Sequence, residues 1–151
     1  MQREKLVLSV TGIVILSVVL FMAASIAFAG NGGAPRVTTL NGAEEAPGPG
    51  DPDGSGFASI RLNVGQERVC WEISFEDIAG AAAAHIHRAP AGSPGGVVVP
   101  LNPNEPGCTS AAPDLIQEII DFPERFYVNV HNAEFPAGAI RGQLSNPGQS
   151  N

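Results

Sequence analysis

The sequence predicts an all-β chain, an antiparallel immunoglobulin-like β-sandwich with one short helix, from three observations. Short β-branched runs are separated by turn chemistry rich in its 18 Gly and 13 Pro. The clearest runs alternate apolar and polar residues with period two, and helical periodicity occurs once.

"RVTTL" (36–40) is the first run. In "GFASIRLNV" (56–64), Ala58, Ile60, Leu62 and Val64 alternate with Phe57, Ser59, Arg61 and Asn63. "RVCWEISFEDI" (68–78) alternates most clearly: Val69, Trp71, Ile73 and Phe75 share one face, Cys70, Glu72, Ser74 and Glu76 the other. "GQE" between these two runs reads as a hairpin connection. "AAAAHIHRA" and "GGVVVPL" flank the turn "PAGSPGG" as a second strand pair. "PDLIQEIIDFP" breaks the pattern: Leu115, Ile116, Ile119 and Ile120 recur at helical spacing between Pro113 and Pro123, with Asp114 and Glu118 toward the N-terminal part, where the helix dipole favours negative charge. "RFYVNVH" and "AIRGQL" around "NAEFPAG" form the last hairpin.

Ahead of these runs, the charged start "MQREK" precedes an apolar stretch from Leu6 to Phe28, and Ala27 and Ala29 form an A-x-A cleavage signal. Residues 1–29 are expected to be a signal peptide and the protein to be secreted. The same stretch is long enough to cross a bilayer, so the alternative is an anchor over 6–28 with the domain outside and no other membrane contact. Residues 30–35 read as a flexible leader, 36–144 as one domain and 145–151 as a polar tail. From Gly30 onward the chain has six Arg, no Lys and fourteen acidic residues, a formal charge of −8. That surface repels phosphate backbones, so no nucleic acid partner is expected. No N-x-S/T sequon is present, so N-glycosylation is not expected.

Two cysteines in an exported chain suggest a disulfide, Cys70 from a strand and Cys108 from the loop "NEPGCTSAAP"; two free thiols binding metal or acting in redox chemistry is the rival reading. His85 and His87, at i and i+2 of a strand, project from one face opposite Ala84 and Ile86. Tyr127, Asn129 and His131 likewise oppose Val128 and Val130. If the two strands are neighbours with their apolar sides inward, three imidazoles converge, a donor set suited to zinc or copper. The competing reading is that His85 and His131 are hydrogen-bonded structural residues beside the "PAGSPGG" loop. "DPDGSGF" begins like a calcium loop at Asp51, Asp53, Ser55 and Gly56, but Leu62 stands where the bidentate Glu is needed, which leaves a tight turn. Arg141 is expected to bridge a carboxylate such as Glu45 or Glu134, with Gly138 and Gly142 allowing close backbone approach; anion binding is the rival reading. Trp71 is expected in the core with an acceptor for its indole N–H. No catalytic motif is present, so no enzyme activity is expected.

The blocks "LNGAEEAPGPGDPDGSGFASIRL", "AHIHRAPAGSPGGVVVPL" and "FYVNVHNAEFPAGAIRGQL" together resemble the CHRD domain of chordins and exported bacterial proteins, over Arg36 to Leu144. One departure is Ala139 after Gly138, where the family often has an acidic residue. The resemblance implies an extracellular domain with an immunoglobulin-like β-barrel shared with copper/zinc superoxide dismutases. Three histidines are too few for the dismutase's two-metal centre. The growth-factor restraint of chordins is not carried over, since their cysteine-rich modules have no counterpart in a chain with two Cys. The resulting expectation is a non-catalytic extracellular binding or structural module, without cofactor, whose loops 88–96 and 132–138 contact an extracellular protein or surface ligand. The alternative is a copper- or zinc-binding protein using His85, His87 and His131.

Overall fold

The structure, a computed structural model, describes residues 32–149. The signal or anchor expected over 1–29, the first leader residues and the last two residues lie outside the described residues. Among the described residues no helix is long and apolar enough to cross a membrane.

Among the described residues there are eight strands: β1 (Ala34–Asn41), β2 (Ser55–Asn63), β3 (Arg68–Glu76), β4 (Ala83–Arg88), β5 (Gly96–Leu101), β6 (Gly107–Ser110), β7 (Phe126–His131) and β8 (Ile140–Gln143). The helix α1 (Pro113–Asp121) lies between β6 and β7. The all-β class with one helix is observed, realised as one continuous sheet in the order β5-β4-β7-β8-β1-β2-β3-β6 that curls into a nearly closed barrel. All its pairings are antiparallel.

Alternation decides what fills the barrel. Ala58, Ile60 and Leu62 of β2 and Val69 of β3 are buried, and Ala84, Ile86, Val128 and Val130 meet them from β4 and β7. Helix α1 begins with Pro113 at its first turn, where the missing N–H costs no hydrogen bond, and buries Ile116 and Ile119 completely. Each such isoleucine contributes about 1.5–3 kcal/mol by leaving water. The Arg36 guanidinium of β1 donates to Pro35 O and Ile120 O, satisfying a carbonyl that the last helical turn leaves open. Trp71 packs at the margin of the core, and its Nε1 donates to Asn102 O (2.9 Å) and Glu105 O (3.2 Å), supplying the expected acceptor.

Three details differ from the sequence expectation. Cys108 lies in strand β6, not in a loop, directly opposite Cys70 of β3, to which it is disulfide-bonded. Four residues, "GCTS", are too few to display an alternation, and the strand exists because the edge of β3 offers it a ladder. β1 starts at Ala34, inside the stretch expected as leader, because its antiparallel register with β2 runs to Leu62. Ser145, assigned to the tail, exchanges two backbone hydrogen bonds with Val37.

The disulfide closes a segment of 38 residues onto the outermost strand pair. Replacing both cysteines by Ser is expected to lower the unfolding free energy by roughly 3 to 4 kcal/mol on the loop-closure model. Urea unfolding of wild type and the double variant measures it.

Candidate metal centre

β7 lies between β4 and β8, and its register sets three side-chain rows across the sheet. His87 stands opposite Tyr127, which stands opposite Gln143; His85 stands opposite Asn129, which stands opposite Arg141; Ala83 stands opposite His131. Because Ile86, Val128, Val130 and Ile140 point into the core, the polar members of these rows share the other face. A register shift between Ile86 and His87, where β5 carries an extra residue against β4, marks a bulge beside the centre.

The three predicted histidines do converge. Their ligand nitrogens all lie within 4.8 Å of one another, and His85 Nδ1 is 3.1 Å from His131 Nε2. Two nitrogens bound tetrahedrally to one zinc or copper ion at about 2.0–2.1 Å stand ~3.3 Å apart, so this pair already has nearly the required spacing.

Backbone carbonyls fix two of the tautomers. His87 Nδ1 donates to Gly95 O (2.8 Å) and His131 Nδ1 donates to Pro136 O (3.1 Å), since a carbonyl can only accept. Each ring's Nε2 is then left with its lone pair, the arrangement in which metal-binding imidazoles are held by their second nitrogen. His87 is 8% exposed, and its Nε2 is buried without a hydrogen-bond partner. Burial, followed by the charges of His131 and His87, holds the His85 imidazole below its ordinary pKa. Burial also lowers His131, opposed in part by the bond to Pro136. Both shifts favour the neutral form of His85 and His131, the form in which an imidazole can act as a ligand.

The loop between β4 and β5 is clamped over this face. Arg141, 1% exposed, donates to Ser93 O (2.9 Å), Pro90 O (3.0 Å) and Gln143 Oε1 (3.4 Å). Gln143 Nε2 donates to Ala89 O (2.8 Å), and the Tyr127 hydroxyl accepts from Gly95 N (3.1 Å). The Tyr127 ring stacks on His87 with 4.8 Å between centroids and 9° between planes, and the Arg141 guanidinium lies 3.5 Å above the Tyr127 centroid. Cation, phenol and imidazole thus form a three-layer stack, a buried arrangement worth about 2 kcal/mol at the cation–π contact.

This corrects the partner expected for Arg141. It forms no ion pair with Glu45 or Glu134; the ion pair found among the described residues is Arg88–Glu118 at 2.5 Å. Loop carbonyls take the place of the carboxylate. Glu45 is near enough to feel the Arg141 charge, yet its Oε1 is buried without a partner, and desolvation raises its pKa to about 7 against the opposing pull of Arg141 and a backbone bond from Ala46. Gly138 adopts φ +148°, and a Cβ there would meet the Glu45 carboxyl group. A Cβ at Gly142 would overlap Thr39 O, which explains glycine at that point of β8. Sequence reasoning placed Tyr127 and Asn129 on the histidine face without giving either a task; that shared face was the signal available.

The CHRD domain family model matches residues 36–144. Neither curated proteins nor solved structures give a match.

Two outcomes follow from the clamp and its neighbour. Arg141→Met leaves the Ser93 and Pro90 carbonyls under-satisfied, and is expected to destabilise by about 3 kcal/mol and to speed amide exchange over 89–95. Chemical denaturation and hydrogen exchange measure both. For Glu45 the folded pKa is raised, so its contribution to stability is full below about pH 4.5 and is lost as pH rises through about 7. Glu45→Gln should therefore flatten the fall in melting temperature between pH 5 and pH 8.

Proposed function

The chain belongs to the CHRD domain family, and from that premise and the geometry of its outer sheet face we propose that it is an exported, non-catalytic metal-binding module that holds one copper or zinc ion on His85, His87 and His131. The observation that carries the reading is the buried, partnerless Nε2 of His87 in a cluster with two further imidazoles. A buried acceptor left without a donor costs about 1–3 kcal/mol, and a metal ion recovers that cost. Borderline-soft divalent ions suit three neutral nitrogens; calcium and magnesium, which require oxygen donors, do not.

The half-buried His85 and His131 give the ion a way in, while His87 anchors it below. Sequestration or carriage of the ion follows from such a site more directly than turnover does. Export is supported by the A-x-A signal and by the disulfide, which requires an oxidising compartment. The loops 88–96 and 132–138, expected to contact an extracellular partner, take a second role in this reading, because Gly95 O and Pro136 O orient two of the ligands.

Protein purified without a histidine tag, stripped with chelator and titrated with Cu(II) or Zn(II), should bind one equivalent. His87→Ala should weaken that binding by more than about a hundredfold, beyond the effect of losing a supporting group alone. Saturable binding that is unchanged in the variant, or no binding by wild type, rejects the proposal.

A further inference from the structure

The neighbourhood of His131 Nε2 brings three polar atoms of the sheet face together. Nε2 lies 3.0 Å from Asn129 Oδ1 and 3.1 Å from His85 Nδ1. Its partner nitrogen already holds the ring proton, donating it to Pro136 O. A neutral ring therefore brings one lone pair, and no proton, to both contacts. In the orientation found, the Asn129 carbonyl oxygen faces that lone pair, two acceptors at hydrogen-bond distance. Turning the amide gives that lone pair a donor, yet His85 Nδ1 at 3.1 Å still crowds the same lone pair. One cation between these atoms satisfies all of them together.

From this geometry we infer that the Asn129 side-chain carbonyl oxygen is the fourth donor of the metal centre, completing a set of three imidazole nitrogens and one neutral oxygen. The inference rests on the metal-binding reading and adds to it the coordination number and the identity of the last ligand. Asn129 is suitably placed. It sits directly opposite His85 in the β4–β7 ladder, two residues before His131, and is 2% exposed. Its side chain shares the face of all three histidines, and a four-coordinate site of this kind has the donor count of closed, structural zinc centres rather than open catalytic ones. The set carries no negative charge, so the bound ion keeps its full charge in a half-buried site, and an anionic donor in place of the amide would strengthen binding.

The test uses Zn(II) and Co(II) as probes. Asn129→Asp, nearly isosteric, should tighten Zn(II) binding by about tenfold, and Asn129→Leu should weaken it by about tenfold while shifting the visible Co(II) bands as water takes the vacant position. In wild type, which needs no altered fold, the Asn129 side-chain amide resonances should move on Zn(II) addition more than those of the other asparagines. Unmoved Asn129 resonances, or variants that titrate and absorb as wild type does, overturn the fourth donor. Should His87→Ala abolish binding at the same time, the three-histidine reading survives that result. A wild type that takes up no metal removes both.

Discussion

The centre depends on the position of β7 between β4 and β8. Strand side chains alternate with period two, so a slip of one residue would turn Val128 and Val130 outward and drive Tyr127, Asn129 and His131 into the core. Burying three polar groups and exposing two valines makes that slip costly by several kcal/mol. The core therefore holds the register, and the register holds the centre. Val128 and Val130 are wholly buried, and each lies opposite a buried residue of β4, Ile86 and Ala84.

The outer face of the same strands is a second buried layer, built from polar groups. Arg141 and Asn129 are almost inaccessible although neither belongs to the apolar core. Loops cover them, and the loops' composition suits the task. Pro90 and Pro94 bring carbonyls without N–H groups that would need acceptors of their own, while Gly95 passes so close to Arg88 that a Cβ would overlap its carbonyl oxygen. Carbonyls 89, 90, 93 and 95 then accept from Gln143, Arg141 and His87. These carbonyls stand where a counter-ion would otherwise be expected. The guanidinium also lies over the face of Tyr127.

What was legible in the sequence follows from which forces leave a periodic trace. Burial against a sheet does, so the inward sets of β2, β3, β4 and β7 and the common face of His85 and His87 could be read directly. The isoleucines of α1 were equally plain, since a helix covering a barrel needs only one apolar stripe. Strand β6 left no trace because four residues paired at an edge bury little. The partners of Arg141 were missed for a different reason. Carboxylates are visible as letters, whereas the carbonyls of Pro90 and Ser93 are identical to every other carbonyl until the fold selects them. The approach of Asn129 to His131 has the same origin: sequence placed both on one face, but the distance between their atoms depends on loop 132–138 presenting Pro136 O to the ring.

The two readings of the histidines differ in what they ask of the fold. A purely structural cluster would be most stable with each ring nitrogen matched, donor to acceptor, and His131 Nδ1 and His87 Nδ1 are matched in this way. Both matches are made to backbone carbonyls on the side away from the cluster, leaving lone pairs gathered on the near side. A leucine at position 87 would fill much of the same space against Tyr127 without a buried acceptor to satisfy. The imidazole therefore costs stability in the free protein, and its hydrogen bond to Gly95 O holds the unsatisfied nitrogen toward the cluster. His85 and His131 meet each other inward at 3.1 Å, while the Nε2 of His87 stays open beside them. Rings already oriented by their second nitrogens would lose little freedom on taking up the proposed ion.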